Sequence, residues 1–162
     1  MSAVDSESVR ALLLTPAEDV LLMRVSGDRE GRRLWITPGG RREPGESPDA
    51  ALQRELREEL GLDGIRIGAE LWTWQNVVVR AGRRITERER AFLVETSRFE
   101  PTALHMTEDE RRRHRGFRWW RADEIASCRD VFVPRRLDAL LPDLLRDGPP
   151  PTPRCVDGLS SE

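Results

Sequence analysis

The helical pattern over residues 47–60 constrains the fold of this chain more than any other feature of its sequence. Ser47 is a good N-cap, Pro48 suits the first helical position, and Gly61 is a natural C-terminal stop. One stripe of the helix consists of Leu52, Leu56 and Leu60. At about 100° per residue, these leucines share one apolar face, which must pack against a core. We therefore predict a helix that follows a glycine turn and covers one side of a folded domain.

A second stripe of the same helix is acidic. Glu55, Glu58 and Glu59 stand at positions i, i+3 and i+4, so their carboxylates repel one another. Arg54 and Arg57 dilute this repulsion, and a salt-laced surface helix would explain any one of the glutamates. A divalent cation between the carboxylates accounts better for the whole spacing. Hard oxygen ligands with no histidine or cysteine nearby favour Mg²⁺ or Mn²⁺ over zinc.

The charge composition excludes a general binder of polyanions. The 162 residues include 27 basic and 29 acidic side chains, which leave a net charge of −2, whereas such a binder should be clearly basic. Every basic residue is an arginine, so a Schiff-base or P-loop lysine is excluded. We expect no membrane span, because the apolar runs are short. Two isolated cysteines and a polar, acidic N-terminus favour a cytoplasmic protein with reduced thiols.

Alternating element types predict an α/β fold. Strands are predicted over residues 9–14, 20–25, 34–37, 65–67, 71–80, 85–95 and 117–120, and helices over residues 47–60, 122–127 and 134–146. Such a mixture, with one strongly patterned helix, is typical of a sandwich of helices and sheet. We expect one domain over residues 9–146, a flexible N-terminus over residues 1–8, and a proline-rich, disordered tail over residues 147–162.

The segment over residues 40–62 resembles the Nudix box, G-x5-E-x7-R-E-U-x-E-E-x-G-U, in which U is a bulky aliphatic residue. The matching positions are Gly40, Glu46, Arg54, Glu55, Leu56, Glu58, Glu59, Gly61 and Leu62. Every specified position is filled, and the segment over residues 35–40 resembles the strand that usually leads into the box. The resemblance implies a Nudix-type α/β/α sandwich with a mixed β-sheet. It also implies hydrolysis of a nucleoside diphosphate linked to another moiety.

The resemblance further implies a set of metal ligands. Glu55, Glu58 and Glu59 would hold divalent cations, Mg²⁺ or Mn²⁺, together with a backbone carbonyl of the pair formed by Gly39 and Gly40. We expect Gly39 to supply that carbonyl. The ligands would then come from one turn and from the helix that follows it.

Other residues of the box would support these ligands. Arg54 would hold a glutamate of the helix in place, with Glu58 as the expected partner. Glu46 would bond within the loop and stabilise it, and Gly40 would help to stabilise the same loop. Glu55, Glu58 and Arg54 are therefore the catalytic candidates within the box.

Similar sequences often take one further acidic residue from outside the box, as a base or an extra metal ligand. Glu108, Asp109 and Glu110 precede a predicted strand, and among them we favour Glu110 as a catalytic residue. Glu87 and Glu89, on the strand before them, are the alternatives.

The resemblance favours a pyrophosphohydrolase that acts on a small-molecule nucleoside diphosphate derivative. The alternative is a regulatory module that senses a nucleotide without hydrolysis, but such modules tend to lose box carboxylates, and this chain has all of them. Isomerisation of a prenyl diphosphate would need a cysteine in the site, and Cys128 lies far along the chain. Nucleic acid is not an expected partner, apart from an RNA 5′ end. Dimers are common among similar proteins, so a homodimer is also among the expectations.

The aromatic residues and histidines give weaker indications. Trp72, Trp74 and Trp120 are large enough to stack on a nucleobase, but a sandwich of this size needs large apolar residues, so we expect them in the core. His105 and His114 have no partner at a ligand spacing, and we expect both at the surface.

Overall fold

The computed structural model describes residues 6–29, 31–102 and 105–159. Its strands are β1 (Ser6–Leu14), β2 (Val20–Arg29), β3 (Arg32–Ile36), β4 (Gly39–Arg41), β5 (Glu70–Arg80), β6 (Arg83–Glu95), β7 (His114–Trp120), β8 (Val131–Val133) and β9 (Arg154–Cys155). Its helices are α1 (Pro48–Leu60), α2 (Glu108–Arg113), α3 (Ala122–Ser127) and α4 (Leu137–Asp147). Among these helices, none is long and apolar enough to cross a membrane.

The strands form one mixed sheet around β1, which has both parallel and antiparallel partners. β6 pairs in parallel with the whole of β1. β2 and β4 pair with β1 in the antiparallel direction. The strand order is β8-β3-β2-β1-β6-β5-β9, with β4 paired to β1 and β7 paired to β2. Because β4 pairs with β1, Gly39 lies beside Arg10 near the middle of the sheet.

Alternation along β1 sends apolar side chains to both faces of the sheet. Val9, Ala11 and Leu13 join one core cluster, whereas Leu12 joins another. α1 completes the first cluster with Ala51, Leu52, Leu56 and Leu60. α4 contributes to the second cluster with Leu137, Leu140, Leu141 and Leu144. Helices therefore cover both faces of a mixed sheet, and the predicted α/β/α sandwich is confirmed.

The tryptophans contribute to the core, as the sequence predicts. Trp72, Trp74 and Trp120 are at most 2% exposed and belong to the cluster under α4. Trp119, the neighbour of Trp120 on β7, packs against the cluster under α1 instead. The two adjacent rings lie on opposite faces because successive side chains of a strand alternate.

α1 begins and ends where its caps predict. The Ser47 hydroxyl accepts a hydrogen bond from the Ala50 N–H at 3.1 Å. Gly61 adopts the left-handed conformation with φ of 67°, and its N–H donates to the Arg57 carbonyl. The predicted caps at both ends of α1 are therefore present, whereas the predicted glycine turn before it is the strand β4 followed by a loop.

Besides three short strands that the sequence does not predict, β4, β8 and β9, the elements differ from the prediction at residues 65–67, at α2 and at the start of α4. Residues 65–67 form no strand, because pairing with β6 starts only where the Gly68 N–H donates to the Leu93 carbonyl at 2.8 Å. α2 is absent from the prediction, although Thr107 caps it. α4 begins later than predicted, because Arg136 before it adopts a left-handed conformation with φ of 60°.

The described residues near each end of the chain are more ordered than the sequence predicts, and residues 160–162 of the expected tail lie outside the described residues. β1 begins at Ser6, so part of the expected flexible N-terminus belongs to the sheet, and residues 1–5 lie outside the described residues. The expected disordered tail is wrong for residues 154–155, which form β9 and pair in parallel with β5. β9 pairs with β5 through backbone hydrogen bonds, which depend little on side-chain type. The polar, proline-rich composition of the tail therefore does not reveal this strand.

Candidate functional site

Three carboxylates meet beside the sheet, and they come from two helices. Glu55 and Glu59 lie one turn apart on α1, while Glu110 comes from α2. One oxygen of each lies within 4.8 Å of the others. Glu55 is 5% exposed and Glu59 is 4% exposed. Burial of a charged carboxylate is costly unless something compensates its charge.

Burial changes the protonation of these groups. It raises the pKa of Glu59 to about 8, an increase that Arg10 opposes and that the nearby Glu55 carboxylate reinforces. Burial raises the pKa of Glu55 as well. The buried Oε2 atom of Glu55 has no hydrogen-bond partner among the described residues. A divalent cation would supply the positive charge and bind that oxygen, so this set of oxygen donors fits Mg²⁺ or Mn²⁺.

The backbone at Gly39 and Gly40 approaches its neighbours so closely that neither position has room for a side chain. Gly39 has φ of 140°, and a Cβ atom there would overlap the Val9 carbonyl. A Cβ atom at Gly40 would lie 2.5 Å from Cδ of Glu55. The Gly39 N–H donates to Oε2 of Glu59 at 3.1 Å. The two glycines therefore let one turn of backbone contact both buried carboxylates.

Arg54 connects the loop before α1 to the acidic stripe of the helix. Its Nε and Nη2 donate to the Glu46 carboxylate at 2.7 and 2.9 Å, and its Nη1 donates to Oε1 of Glu55 at 3.0 Å. The hydrogen bonds from Arg54 lower the pKa of Glu46 to about 2. Glu46 also accepts a hydrogen bond from the Glu43 N–H at 2.9 Å. These contacts tie the loop to the helix, which is what the predicted role of Glu46 requires.

A cavity of about 450 Å³ opens over the carboxylates. Its polar part is lined by Arg10, Gly39, Gly40, Glu55, Glu59 and Glu110. Its apolar part is lined by Met23, Val25, Ile36 and Met106. A cavity lined by both charged and apolar side chains suits a ligand that has both kinds of surface.

The match to a known domain extends over most of the elements that build this site. The family model of the NUDIX domain matches residues 6–141. This chain belongs to the Nudix family. The resemblance seen in the sequence is therefore confirmed, and the Nudix box corresponds to the end of β4, the loop that follows it and α1.

Several known proteins are similar to this Nudix chain. The solution structure of the E. coli ORF135 protein is 26% identical, has a TM-score of 0.61, and is matched over 91% of this chain and 94% of that one. The human 8-oxo-dGDP phosphatase NUDT18 is 48% identical over 54 residues, which are 33% of this chain and 16% of the human protein. An RNA pyrophosphohydrolase of a Nitratiruptor species is 52% identical over 40 residues, 25% of this chain and 26% of that protein. The matches thus span less than a third of either curated relative.

The third glutamate of the Nudix box, Glu58, lies apart from the other two. Its side chain is 36% exposed, and it does not belong to the group formed by Glu55, Glu59 and Glu110. At about 100° per residue, Glu59 lies about 40° from Glu55 around the helix, whereas Glu58 lies about 60° away on the other side. The metal-binding and catalytic roles of Glu58 stay predictions.

Arg54 of the Nudix box contacts Glu58, the expected partner, and also makes a shorter contact with Glu55. Its Nη1 lies 3.5 Å from Oε2 of Glu58 but 3.0 Å from Oε1 of Glu55. The expected Arg54–Glu58 pair is therefore the longer of the two contacts. Burial explains the difference, because Glu55 is held against the glycine turn while Glu58 faces solvent.

Outside the Nudix box, the structure brings Glu110 to the site. Oε2 of Glu110 accepts a hydrogen bond from the Thr107 N–H at 2.6 Å, and the Glu110 N–H donates to the Thr107 hydroxyl at 3.2 Å. This capping box orients Glu110 at the start of α2, beside Glu55 and Glu59. A threonine followed three residues later by a glutamate is visible in the sequence, so a local signal for this helix start exists.

The other acidic candidates lie in different surroundings. Glu108 and Asp109 are exposed and pair with an arginine of the same helix. Glu87 lines the cavity. Glu89 is 2% exposed and forms an ion pair with Arg10. Of these four residues, none belongs to the group of three carboxylates.

His114 is a cavity residue that the sequence does not predict. The expectation for both histidines is a surface position, and His105 is indeed exposed. His114 instead lines the cavity, and its ring centroid lies 4.4 Å from that of Phe117. Burial lowers the pKa of His114, and its buried Nδ1 atom has no hydrogen-bond partner among the described residues. An isolated histidine carries no spacing signal, so only the fold reveals this position.

Proposed function

We propose that this chain is a divalent-cation-dependent pyrophosphohydrolase that cleaves the diphosphate linkage of a nucleoside diphosphate derivative. The observation that carries the proposal is the group of three carboxylates that lines one cavity together with apolar side chains. The name of the human relative, 8-oxo-dGDP phosphatase, supports a small nucleotide as the substrate. A regulatory module without hydrolysis is the alternative, and the complete set of box carboxylates favours the enzyme.

The metal ligands follow from the oxygen atoms that the fold brings together. Glu55 and Glu59 would hold the cation, and the Gly39 carbonyl and Glu58 are further candidates. Bound there, Mg²⁺ would neutralise diphosphate charge and lower the pKa of a water molecule. Mg²⁺ or Mn²⁺ fits better than zinc because each donor is an oxygen atom.

The remaining residues orient the site and move the proton. Arg54 keeps Glu55 and the Glu46 loop in one geometry, so that the ligands do not have to reorganise during the reaction. A carboxylate must accept the proton of the water that attacks phosphorus in line. Glu110 is the proposed base because it belongs to the group and is less buried than Glu55 and Glu59.

The apolar wall of the cavity provides the binding surface for the nucleoside. Met23, Ile36 and Met106 offer apolar contacts for a base or sugar, and His114 lies beside them with a ring nitrogen. A homodimer stays a prediction, and the described site takes its three carboxylates from a single chain.

A phosphate-release screen tests this proposal. The purified chain is incubated with 8-oxo-dGDP, 8-oxo-dGTP, ADP-ribose, nucleotide sugars, dinucleoside polyphosphates and RNA with a 5′ triphosphate, in Mg²⁺ or in EDTA. Pyrophosphatase and phosphatase serve as coupling enzymes. We expect Mg²⁺-dependent release from one substrate class and none in EDTA.

Three variants connect that activity to the site. Glu59→Gln and Glu58→Gln should each lower kcat by more than about 100-fold, since loss of a residue that only supports a metal ligand already costs about 10- to 100-fold. Glu100→Gln is the matched control, because Glu100 is exposed and lies outside the site. No release from any substrate, with nucleotide binding still visible by thermal shift, would favour the regulatory alternative.

A further inference from the structure

The C-terminal segment, defined as residues 154–159, is packed tightly against β5. The Leu159 N–H donates to Oδ1 of Asn76 at 2.8 Å, and the Leu159 carbonyl accepts a hydrogen bond from the Val77 N–H at 3.2 Å. A Cβ atom at Gly158 would lie 2.5 Å from the same Oδ1 atom. The segment therefore fixes the position of the Asn76 side chain.

Asn76 in turn contacts a buried carboxylate on β6. Its Nδ2 donates to Oε1 of Glu89 at 3.2 Å. Glu89 is 2% exposed, and a carboxylate at that depth must be neutralised and hydrogen-bonded. Arg10 does so from β1, because its Nε and Nη2 donate to Glu89 at 2.9 and 3.3 Å. Asn76 and Arg10 thus hold the Glu89 carboxylate from two sides.

The other edge of the Arg10 guanidinium contacts the turn that carries Gly39. Its Nη1 donates to the Gly39 carbonyl at 3.1 Å, while the Gly39 N–H donates to Glu59. Arg10 also interacts electrostatically with Glu59 and Glu55, which compete with Glu89 for its charge. The ion pair with Glu89 therefore keeps Arg10 on the backbone turn and away from the carboxylates that would bind the cation.

We propose that Asn76, Glu89 and Arg10 are positioning residues through which the C-terminal segment sets the geometry of the metal site. The inference rests on the proposed function, because it assumes that the carboxylates bind a divalent cation. Its consequence is that a residue in the C-terminal segment affects metal affinity without contacting the metal ligands.

Calorimetric titration of the full chain with Mn²⁺ alone tests this connection. Asn76→Ala removes the link to Glu89, and Gly158→Ala displaces the segment from Asn76. We expect each to weaken Mn²⁺ binding by about tenfold, within the range of about 10- to 100-fold known for residues that support metal ligands. Glu89→Gln should have the largest effect, because it frees Arg10 to approach the carboxylates.

Each variant has a matched control elsewhere in the chain. Gln75→Ala next to Asn76 on β5, Glu95→Gln at the end of β6 and Thr152→Ala just before β9 change exposed residues, and each should keep the Mn²⁺ affinity of the parent within about twofold. Leu140→Ala controls for stability, because it weakens the core under α4 and leaves the hydrogen-bond chain intact. If Leu140→Ala has the same Tm as the test variants and loses as much Mn²⁺ affinity as they do, the proposal is overturned.

A double variant keeps the test decisive if a single variant folds poorly. Asn76→Asp with Glu89→Gln exchanges the two groups, so that the new amide at position 89 can donate to the new carboxylate at position 76. We expect it to bind Mn²⁺ more tightly than Asn76→Asp alone, in which the new carboxylate faces the Glu89 carboxylate. Parent-like affinity in both Asn76→Ala and Gly158→Ala would overturn the inference alone. A parent chain that binds no Mn²⁺ would overturn the proposed function and the inference with it.

Discussion

The two flanks of α1 are buried to nearly the same extent but have opposite effects on stability. Leu52 and Leu56 are 0% exposed on one flank, and Glu55 and Glu59 are 5% and 4% exposed on the other. Full burial of a leucine side chain stabilises a fold by about 1.5–3 kcal/mol. Burial of a carboxylate opposes its ionisation, as the raised pKa of Glu59 shows.

The leucines explain how the helix can hold its carboxylates in an unfavourable environment. The apolar flank packs α1 against the sheet. This packing also fixes the acidic flank beside Gly39 and Gly40, although burial of its carboxylates is itself unfavourable. Such a balance is typical of functional sites, where local stability is sacrificed for a fixed geometry.

The largest effect on stability is expected at the apolar flank. Leu56→Ala should lower the free energy of unfolding by about 2–5 kcal/mol, because the fully buried side chain leaves a cavity under α1. Urea denaturation measures this change. Leu62→Ala is the control, since Leu62 is only partly buried against the same cluster, and it should cost less. A loss below about 1 kcal/mol for Leu56→Ala would mean that this flank does not hold the helix.

A smaller effect of opposite sign is expected at the acidic flank. In EDTA at pH 9, Glu59→Gln should raise the free energy of unfolding by about 1 kcal/mol, because an amide of the same shape has no charge to bury. Glu58→Gln, on the exposed side of the same helix, should change it by less than about 0.5 kcal/mol. The same denaturation experiment measures both. A decrease in Glu59→Gln would show that the buried carboxylate stabilises the metal-free fold.

The smallest effect is expected at the loop that Arg54 ties to the helix. Arg54 lowers the pKa of Glu46 to about 2 from its ordinary value of 4.5. A lowered carboxyl pKa contributes stability that is present above the ordinary value and is lost as the pH falls through the folded value. The difference in free energy of unfolding between the parent and Glu46→Gln should therefore be constant from pH 7 to about 5 and shrink towards pH 3.

Urea denaturation at several pH values tests this dependence on Glu46. Glu100→Gln serves as the reference for an exposed glutamate that has no described ion pair. A parent-to-variant difference for Glu46→Gln that stays constant down to pH 3 would show that the Arg54 contact does not lower the pKa of Glu46.

Local signals account for what could be predicted about the fold. The caps at Ser47 and Gly61 and the leucine stripe define α1 through contacts within a few residues, and the structure confirms the helix. The strands missing from the prediction are β4, β8 and β9, each of three residues or fewer. Such short strands exist because a partner strand supplies their hydrogen bonds, and that partner lies far away in sequence.

In the candidate site too, local sequence signals identify one part, and contacts between distant segments decide the other. The Nudix box identifies the acidic stripe, since its spacing is local to one helix. It cannot say which glutamate is buried, because that depends on how α1 is rotated against the sheet. Glu55 and Glu59 face the glycine turn, and Glu58 does not. The sequence does not point to His114 or Arg10, because neither has a neighbour in sequence that reveals its function.

The sequence by itself therefore determined the helix, the family and the kind of chemistry, because caps, periodicity and the spacing of charges act over a few residues. Only the tertiary structure decided which carboxylates meet, that Glu110 joins them from α2, and that the chain after α4 returns to β5. These features depend on pairing and burial between segments that are distant along the chain. The energies involved are shared among many contacts, so no short stretch of sequence records them.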